Sequence, residues 1–341
     1  MNGPSIIGIG TAVPEHGISQ EQAAELAARF DPGNGRAVQA LYRRSGVLQR
    51  GSVIADDAGQ IELFSPDAPL PTTAERMGLY DDFATHLAEQ AARSAIDRSG
   101  VRPNTLTHLI TVSCTGFAAP GVDYELIRQL GLGADVRRTH IGFMGCHGAV
   151  NALAVARDFV RAEPGSRVLI CCVELCSLHF EATPDAQGAA AAVIAAAPPG
   201  PMSITDVASI IIPDTRDLMS WSIGDRGFRM RLSPSVPVVL GEHIPAWMNR
   251  WLGKSGLTVG DVGSWAIHPG GPRVLSSIAE ALGLNGSAIE ASREVLASHG
   301  NMSSATLLFI LDRLARADAP SPTVALAFGP GLAGEGIRLG A

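Results

Sequence analysis

Two stretches with the same layout decide how the chain folds, Gly145-Cys146-His147-Gly148-Ala149 and Gly300-Asn301-Met302-Ser303-Ser304. Each runs into an apolar stretch that we predict to be a helix, and each helix is followed by an apolar strand, at 167–173 and at 323–328. Cys146 and Asn301 are 155 residues apart, and so are Ala162 and Ala317 at the ends of the two helices. The repeated order and spacing indicate an internal duplication.

Upstream of both stretches the correspondence continues. The strand predicted at 107–113 matches one at 263–267, and the Gln129-Leu130-Gly131-Leu132 run resembles Ala281-Leu282-Gly283-Leu284. The alternative is that any two segments of alternating strand and helix look alike. We favour duplication because order and spacing agree over four elements. It predicts an α/β fold of two halves, residues 1–200 and 201–341, with Cys146 and Asn301 at equivalent helix starts on a shared midline.

The rest of the chain continues the α/β pattern. Apolar runs predict a further strand at 5–11, and helical periodicity predicts helices at 20–30, 84–99, 124–130 and 148–162. Residues 51–75 are rich in turn formers and show no clear period. Strands separated by helices favour an α/β architecture over an all-α or all-β one.

Composition excludes several classes of protein. The 341 residues are 46% hydrophobic and only 17% charged, which argues against a disordered chain or a coiled coil. The net charge of −7, without a basic block, argues against a nucleic-acid binder. An apolar run long enough to span a membrane is absent from the sequence, and the N-terminus lacks the basic start and apolar block of a signal peptide. We therefore expect a cytoplasmic protein.

The cysteines point to a nucleophile rather than to a metal site. Their number is odd and no pair has the spacing of a zinc knuckle; they are Cys114, Cys146, Cys171, Cys172 and Cys176. Cys146 has small neighbours that let a substrate approach, and it precedes a helix, whose N-terminus lowers the pKa of a thiol. The alternative is a packed core cysteine, which suits Cys171, Cys172 and Cys114 better.

Two further residues complete a candidate catalytic set. His268 stands at the end of a predicted strand and before Pro269-Gly270-Gly271-Pro272, where α/β proteins place catalytic groups. Asn301 precedes the second repeated helix, and its ordinary alternative is simple helix capping. The duplication brings Cys146 and Asn301 together, with His268 on the strand between. A thiol, an imidazole and an amide can act as nucleophile, proton partner and oxyanion donor.

Several runs together resemble the type III polyketide synthases, the chalcone synthase-like family of the thiolase superfamily. They are Ser113-Cys-Thr-Gly-Phe-Ala-Ala-Pro-Gly-Val-Asp123, Gly145-Cys146, Met219-Ser-Trp-Ser-Ile-Gly-Asp-Arg-Gly-Phe-Arg-Met230, Trp265-Ala-Ile-His-Pro-Gly-Gly-Pro272, Ser292-Arg-Glu-Val-Leu296, Gly300-Asn-Met-Ser-Ser-Ala305 and Phe328-Gly-Pro-Gly-Leu332. The resemblance extends over nearly the whole chain. It implies a homodimer with a five-layered αβαβα fold built from two duplicated halves. It further implies no metal and no organic cofactor, with acyl-CoA starters and malonyl-CoA as substrates.

The resemblance also assigns roles to residues. Cys146 would accept the starter acyl group, and His268 would pair with its thiolate. His268 and Asn301 would hold the malonyl thioester oxygen while CO₂ leaves. The pocket for the starter and for cyclisation would be lined by Cys176, His179, Trp221, Met230 and Ser303, and Ala119 would reach into the pocket of the partner subunit. Arg44, with Arg43 beside it, and Arg273 are candidates for the CoA phosphates; the alternative for all three is solvated surface charge.

One segment departs from the family. Relatives continue from a His-Phe-like stretch, through about a dozen residues, into Leu-Phe-Gly-Asp-Gly, and that Phe gates the active site. Here His179-Phe180 is followed after six residues by Gln187-Gly188, without the Leu-Phe pair and with Gln187 in place of the acid. The sequence therefore assigns no gatekeeper.

We interpret the chain as a type III polyketide synthase that ends in a pyrone, resorcinol or phloroglucinol product. Two alternatives are a ketoacyl synthase III-like condensing enzyme, which shares the Cys–His–Asn set, and a catalytically impaired paralogue that acts as a binding or dimerisation partner. The compact Cys176, the flexible Met230 and the missing gate favour an aliphatic, medium or long acyl starter over a planar aromatic one. Bulky Trp221 would cap one end of the cavity.

Overall fold

The computed structural model describes residues 2–179 and 187–340. The strands in this part are β1 (Gly3–Ala12), β2 (Gly17–Ser19), β3 (Gln49–Gly51), β4 (His108–Ser113), β5 (Arg137–Gly142), β6 (Arg167–Leu175), β7 (Gln187–Ala197), β8 (Ile204–Ile211), β9 (Met219–Gly224), β10 (Gly227–Leu232), β11 (Ser264–Ile267), β12 (Thr323–Gly329) and β13 (Ala333–Leu339). The helices are α1 (Gln20–Phe30), α2 (Gly35–Arg44), α3 (Thr73–Ser99), α4 (Val122–Leu130), α5 (Gly148–Ala162), α6 (Val236–Gly253), α7 (Pro272–Leu282), α8 (Glu290–His299) and α9 (Thr306–Arg316).

Two mixed sheets with matching topology form the frame. The first has the order β1-β7-β6-β4-β5 and the second the order β8-β13-β12-β11. In both, the first three strands pair antiparallel and the third and fourth pair in parallel. Among the described strands, β5, which pairs in parallel with β4, has no counterpart in the second sheet. The observed pairing shows the duplicated architecture that the repeat predicts.

The sheets and helices form five layers. Alternate residues of β4 and β6 face two different cores: Ile110 and Ile170 pack with α5 and α9, whereas Leu109 and Leu169 pack with α3 and α4. The second sheet divides in the same way, because Ala325 faces the central helices and neighbouring strand residues face α6 and α7. The order is therefore α3/α4, sheet, α5/α9, sheet, α6/α7, the expected αβαβα arrangement. A smaller core under β2, β3, α1 and α2 lies at one side.

Several predicted elements begin or end differently in the structure, and two of the differences have a clear physical reason. The helix predicted at 84–99 begins at Thr73, because Thr72 and Glu75 form a capping box there. The strand predicted at 167–173 continues through Glu174 to Leu175, although Glu174 is charged. None of the helices within residues 2–179 and 187–340 combines the length and hydropathy that crossing a bilayer requires.

Candidate active site

Cys146 lies in a short 3₁₀ turn, Gly145–His147, that leads directly into α5. Gly145 has a φ of 75°, a conformation that side chains disfavour, and a Cβ on it would lie 2.5 Å from Cδ of Pro330. Only glycine fits position 145, so the backbone conformation of this turn depends on that residue. The Cys146 side chain is 9% exposed, at the limit between core and surface.

A second 3₁₀ turn, Ser303–Ala305, leads into α9 in the same way and contacts the turn that carries Cys146. Asn301 stands just before it. Its Oδ1 accepts the Ser303 N–H at 2.9 Å, which fixes the orientation of the amide. The two N–H bonds of its Nδ2 remain as donors. The capping role and a donor role are therefore compatible in this residue.

His268 directly follows the last residue of β11 and lies near His147, a residue of the turn that carries Cys146. Its N–H donates to Leu326 O at 2.8 Å, which continues the parallel pairing with β12. The imidazole is 1% exposed, and neither ring nitrogen has a hydrogen-bond partner among the described residues. Burial, with the neighbouring His147 as a second cause, lowers the pKa of His268 to about 3. The ring is therefore neutral and sits next to the turn of Cys146.

A buried carboxylate that the sequence reading missed lies behind this set. Glu174 is fully buried and accepts hydrogen bonds from Ser304 Oγ at 2.5 Å, Thr115 Oγ1 at 2.8 Å and Cys114 N at 3.0 Å. Burial raises the pKa of its carboxyl, although these three donors oppose the shift. Ser304 belongs to the second half of the chain, so the carboxylate joins both halves. A lone acid in an apolar strand was the available signal.

Two of the predicted pocket residues, His179 and Trp221, form an aromatic wall together with Phe228. His179 stacks on Phe228 with ring centroids 4.1 Å apart, and Trp221 meets the His179 ring edge-on at 5.7 Å. His179 donates from Nε2 to Thr115 O at 2.6 Å and accepts the Phe228 N–H at Nδ1, 3.0 Å away. Burial lowers its pKa to about 4. Both nitrogens are thus committed, so His179 serves this wall as a neutral ring.

The remaining predicted pocket residues differ in exposure. Cys176 and Ser303 are buried, whereas Met230 is 50% exposed on β10. Met230 pairs with Trp221 on β9, so both side chains share one face of the β9–β10 hairpin. Ala119 lies on an exposed loop between β4 and α4. Its predicted contact with a partner subunit lies beyond a single chain.

The candidate CoA-binding arginines lie on the surface. Arg44 and Arg43 end α2, and Arg273 is the second residue of α7; all three are exposed. Grouped His, Cys, Asp or Glu side chains that could hold a metal ion do not occur in residues 2–179 and 187–340.

Of the 180–188 stretch that departs from the family, residues 180–186 lie outside the described residues. Gln187 is described and fully buried at the start of β7. Gln187 Oε1 accepts the Val53 N–H at 2.5 Å, and Nε2 donates to Ser177 Oγ. The side chain of Gln187, which stands where the family pattern has an acid, therefore connects the loop after β3 to the turn after β6.

Comparison with known proteins identifies a single family for both halves of the chain. Residues 2–198 match the N-terminal domain of chalcone and stilbene synthases, and residues 203–341 match the C-terminal domain. The chain belongs to the chalcone and stilbene synthase family. This type III polyketide synthase is 31% identical to the alpha-pyrone synthesis polyketide synthase-like Pks18 of Mycobacterium tuberculosis, over 97% of this chain and 90% of the relative.

Two further similarities support the assignment. The synthase is 32% identical to the 1,3,6,8-tetrahydroxynaphthalene synthase of Streptomyces peucetius subsp. caesius, over 99% of this chain and 93% of that protein. It superimposes on the crystal structure of PKS-I from the brown alga Ectocarpus siliculosus with a TM-score of 0.94, at 29% identity, covering 100% of this chain and 98% of that one. The synthase is a CoA-thioester condensing enzyme with a thiolase-like fold, as its sequence predicts.

Proposed function

We propose that this synthase condenses malonyl-CoA onto an acyl-CoA starter held on Cys146, with loss of CO₂. The observation that supports the proposal is the contact between two equivalent helix starts, one that carries Cys146 and one that directly follows Asn301. These elements come from opposite halves of the chain, and His268 lies near His147 of the first turn. A nucleophile, a neutral imidazole and an oriented amide in this region would suit acyl transfer followed by enolate formation.

In the first step, the Cys146 sulfur attacks the starter carbonyl while its proton passes to His268. The bond between the carbonyl carbon and the CoA sulfur breaks, and CoA leaves with that proton. The starter is then a thioester of Cys146. Because His268 is buried, its ring is neutral at rest. The ring accepts the thiol proton only as negative charge develops on the Cys146 sulfur or as the sulfur bonds to the carbonyl carbon.

In the second step, malonyl-CoA loses CO₂ and the electrons of the broken C–C bond form an enolate. Nδ2 of Asn301 and one N–H of the neutral His268 ring donate to the enolate oxygen. Fixed donors are most valuable where charge develops. The enolate carbon attacks the Cys146 thioester and releases the thiolate, so the chain grows by two carbons on CoA.

We propose an aliphatic, medium or long acyl starter and a pyrone or resorcinol product. The β9–β10 hairpin supports this, because Met219, Trp221 and Ile223 of β9 pair with Leu232, Met230 and Phe228 of β10 to give one apolar face. Such a face suits a flexible alkyl chain. Equal amounts of a medium-chain acyl-CoA and a p-coumaroyl-type CoA, offered together, test the proposal; preference for the aromatic starter contradicts it.

The test of the whole proposal is product formation. Malonyl-CoA and a panel of acyl-CoAs are incubated with the protein, and products are identified by mass. Malonyl carrier protein replaces malonyl-CoA in a parallel reaction, which separates this activity from that of a carrier-dependent ketoacyl synthase. We expect extended products from malonyl-CoA and none from the Cys146→Ala variant. A protein that neither loads nor extends any starter would be the impaired paralogue.

We also propose a homodimer of chains whose halves are residues 1–200 and 201–341. Exposed apolar side chains near the edge strand β5 support a covered surface there: Phe117, Tyr124 and Met144. Analytical ultracentrifugation tests it, and a monomer at micromolar concentration contradicts it. We propose a cytoplasmic location, supported by five cysteines outside any disulfide, and CoA thioesters as substrates without a further cofactor.

A further inference from the structure

Cys114, a buried thiol without a role in the proposed reaction, contacts the backbone of the nucleophile turn. It follows the last residue of β4 and is 3% exposed. Its Sγ lies 3.0 Å from the Gly145 nitrogen and 3.7 Å from the Gly145 oxygen. The sulfur accepts the Gly145 N–H and donates its own S–H to the Gly145 carbonyl. Gly145 is the residue immediately before Cys146.

The other polar atoms of Cys114 reach two more parts of the site. Its backbone N–H donates to Glu174 Oε2 at 3.0 Å, and its carbonyl accepts the Trp221 Nε1–H at 2.7 Å. One residue therefore links the pocket wall, the buried carboxylate and the nucleophile turn. All of its hydrogen bonds are buried or half-buried, so competing water is excluded from most of them.

The charge state of Cys114 suits this contact. Burial, with the nearby Glu174 carboxylate as a second cause, raises the pKa of its thiol far above the ordinary range. The sulfur therefore keeps its proton. A protonated thiol can donate to the Gly145 carbonyl, and it does not compete with Cys146 as a nucleophile.

We propose that Cys114 is a positioning residue that fixes the direction of the Cys146 sulfur. Pro330 limits Gly145 on one side, at a φ that only glycine adopts readily, and the Cys114 thiol holds the N–H and C=O of Gly145 on the other. Without the Cys114 thiol, the turn loses the hydrogen bonds that fix the orientation of the peptide groups of Gly145. This inference rests on the proposed role of Cys146 as the acyl acceptor.

The test compares Cys114→Ala with a matched control, Cys171→Ala. Cys171 is also a fully buried thiol, and its Sγ lies 3.6 Å from Ala88 O, far from the nucleophile turn in its contacts. Three quantities are measured: the rate of Cys146 alkylation by iodoacetamide, located by peptide mass; acylation of Cys146 by an acyl-CoA; and malonyl-CoA decarboxylation. Thermal melting checks that both variants fold to a similar degree.

We expect Cys114→Ala to slow alkylation and acylation of Cys146 about tenfold, since small displacements of a reacting atom cost rate steeply. Decarboxylation should change less than about twofold, because it depends on His268 and Asn301. Cys114→Ser, which keeps a donor and an acceptor, should restore part of the alkylation rate, and Cys171→Ala should leave all three unchanged.

Equal losses in decarboxylation and acylation, or an unchanged alkylation rate in Cys114→Ala, would overturn the proposal. If the wild-type protein fails to take up any acyl group, the proposed function fails, yet the alkylation rates still decide the role of Cys114. If Cys114→Ala does not fold, the Cys114→Ser variant carries the comparison: slower alkylation of Cys146 at a melting temperature close to that of wild type supports the positioning role, and a loss confined to the melting temperature contradicts it.

Discussion

At the scale of single residues, burial sets what each group of the site can do. The His268 ring has lost almost all contact with water and has no hydrogen-bond partner among the described residues, so its neutral form is stable well below pH 7. A neutral imidazole can donate one N–H to an oxygen. Asn301 has its amide oxygen committed and its N–H groups left as donors. The two side chains therefore offer donors, which an enolate oxygen needs.

Cys146→Ala should abolish condensation, since no other cysteine stands in a glycine-flanked turn at a helix start. Cys146→Gln should differ, because its amide resembles an acylated thiol; we expect it to decarboxylate malonyl-CoA without forming extended products. Mass spectrometry of products and of labelled protein measures both. Single-site labelling that survives in Cys146→Ala would show that the nucleophile is a different residue.

Asn301→Ala should impair malonyl-CoA decarboxylation more than starter loading. Removal of one donor to a developing oxyanion costs about 10²–10³ in rate. Separate assays of CO₂ release and of Cys146 acylation give the two rates. An equal loss in CO₂ release and in Cys146 acylation would contradict the division of roles. Met302, the next residue, is unsuitable as a control because it is fully buried in the central core. The exposed Asn285→Ala change near α8 is the better control.

Arg44→Ala should raise KM for CoA thioesters with a smaller effect on kcat, because phosphate contacts are distant from the reacting carbon. Arg43→Ala, one residue earlier on the same helix end, is the matched comparison. Initial rates over a range of acyl-CoA concentrations give both constants. An unchanged KM would identify Arg44 as a solvated surface charge.

At the scale of elements, the β9–β10 hairpin is the part of the proposed site that best tolerates substitution. Trp221 is anchored by its indole N–H on Cys114 O, while its cross-strand neighbour Met230 is half exposed. The polar residues Ser222 and Arg229 pair on the opposite face. Substitutions can therefore change the apolar face of the hairpin without disturbing either sheet of the frame.

Trp221→Gly should lengthen the longest acyl starter accepted, if the ring caps the cavity. The change removes the largest side chain of the apolar face and its hydrogen bond to Cys114. Ser222→Gly, on the other face of the same strand, controls for added flexibility of the hairpin. Products from acyl-CoAs of increasing length are compared by mass, and an identical length profile in both variants would exclude the cap.

At the scale of the whole molecule, buried histidines make stability depend on pH. The pKa of His268 is lowered to about 3 and that of His179 to about 4, from an ordinary value of 6.5. Below pH 6.5 the unfolded chain binds protons that the folded chain does not. The contribution of these two histidines to stability is therefore fully present above pH 6.5 and falls as the pH drops towards 4, by up to about 1.4 kcal/mol per pH unit for each histidine.

His179→Gln should reduce this fall, because one of the two groups no longer titrates. Urea denaturation at pH 7.5, 6.0 and 5.0 gives the free energy of unfolding at each pH for wild type and variant. His86→Gln removes an exposed histidine of α3 and should behave as wild type. A variant whose stability falls as steeply as that of wild type would show that His179 is protonated in the folded protein.

The layered frame could be predicted from the sequence because the patterns that produce it lie within short segments of the chain. Repeated apolar periods and glycine-bounded turns gave the two halves and the positions of Cys146 and Asn301. Glu174 could not be placed in the same way, because a charge interrupts an apolar run and the predicted strand ended at Val173. Its burial is explained by donors that are distant in sequence, Ser304, Thr115 and Cys114. The hydrogen bonds of Cys114 and the β9–β10 hairpin likewise depend on tertiary contacts. The pocket roles came from family resemblance alone.

The meeting of two equivalent helix starts has an electrostatic consequence. The backbone dipoles of α5 and α9 each give their N-terminal ends about half a positive charge, and the two leading turns touch. Both anions of the proposed cycle, thiolate and enolate, form in the region where these two potentials add. The duplication thereby supplies a favourable field that belongs to the main chain, so it persists in every side-chain variant of the site that keeps the two turns in place.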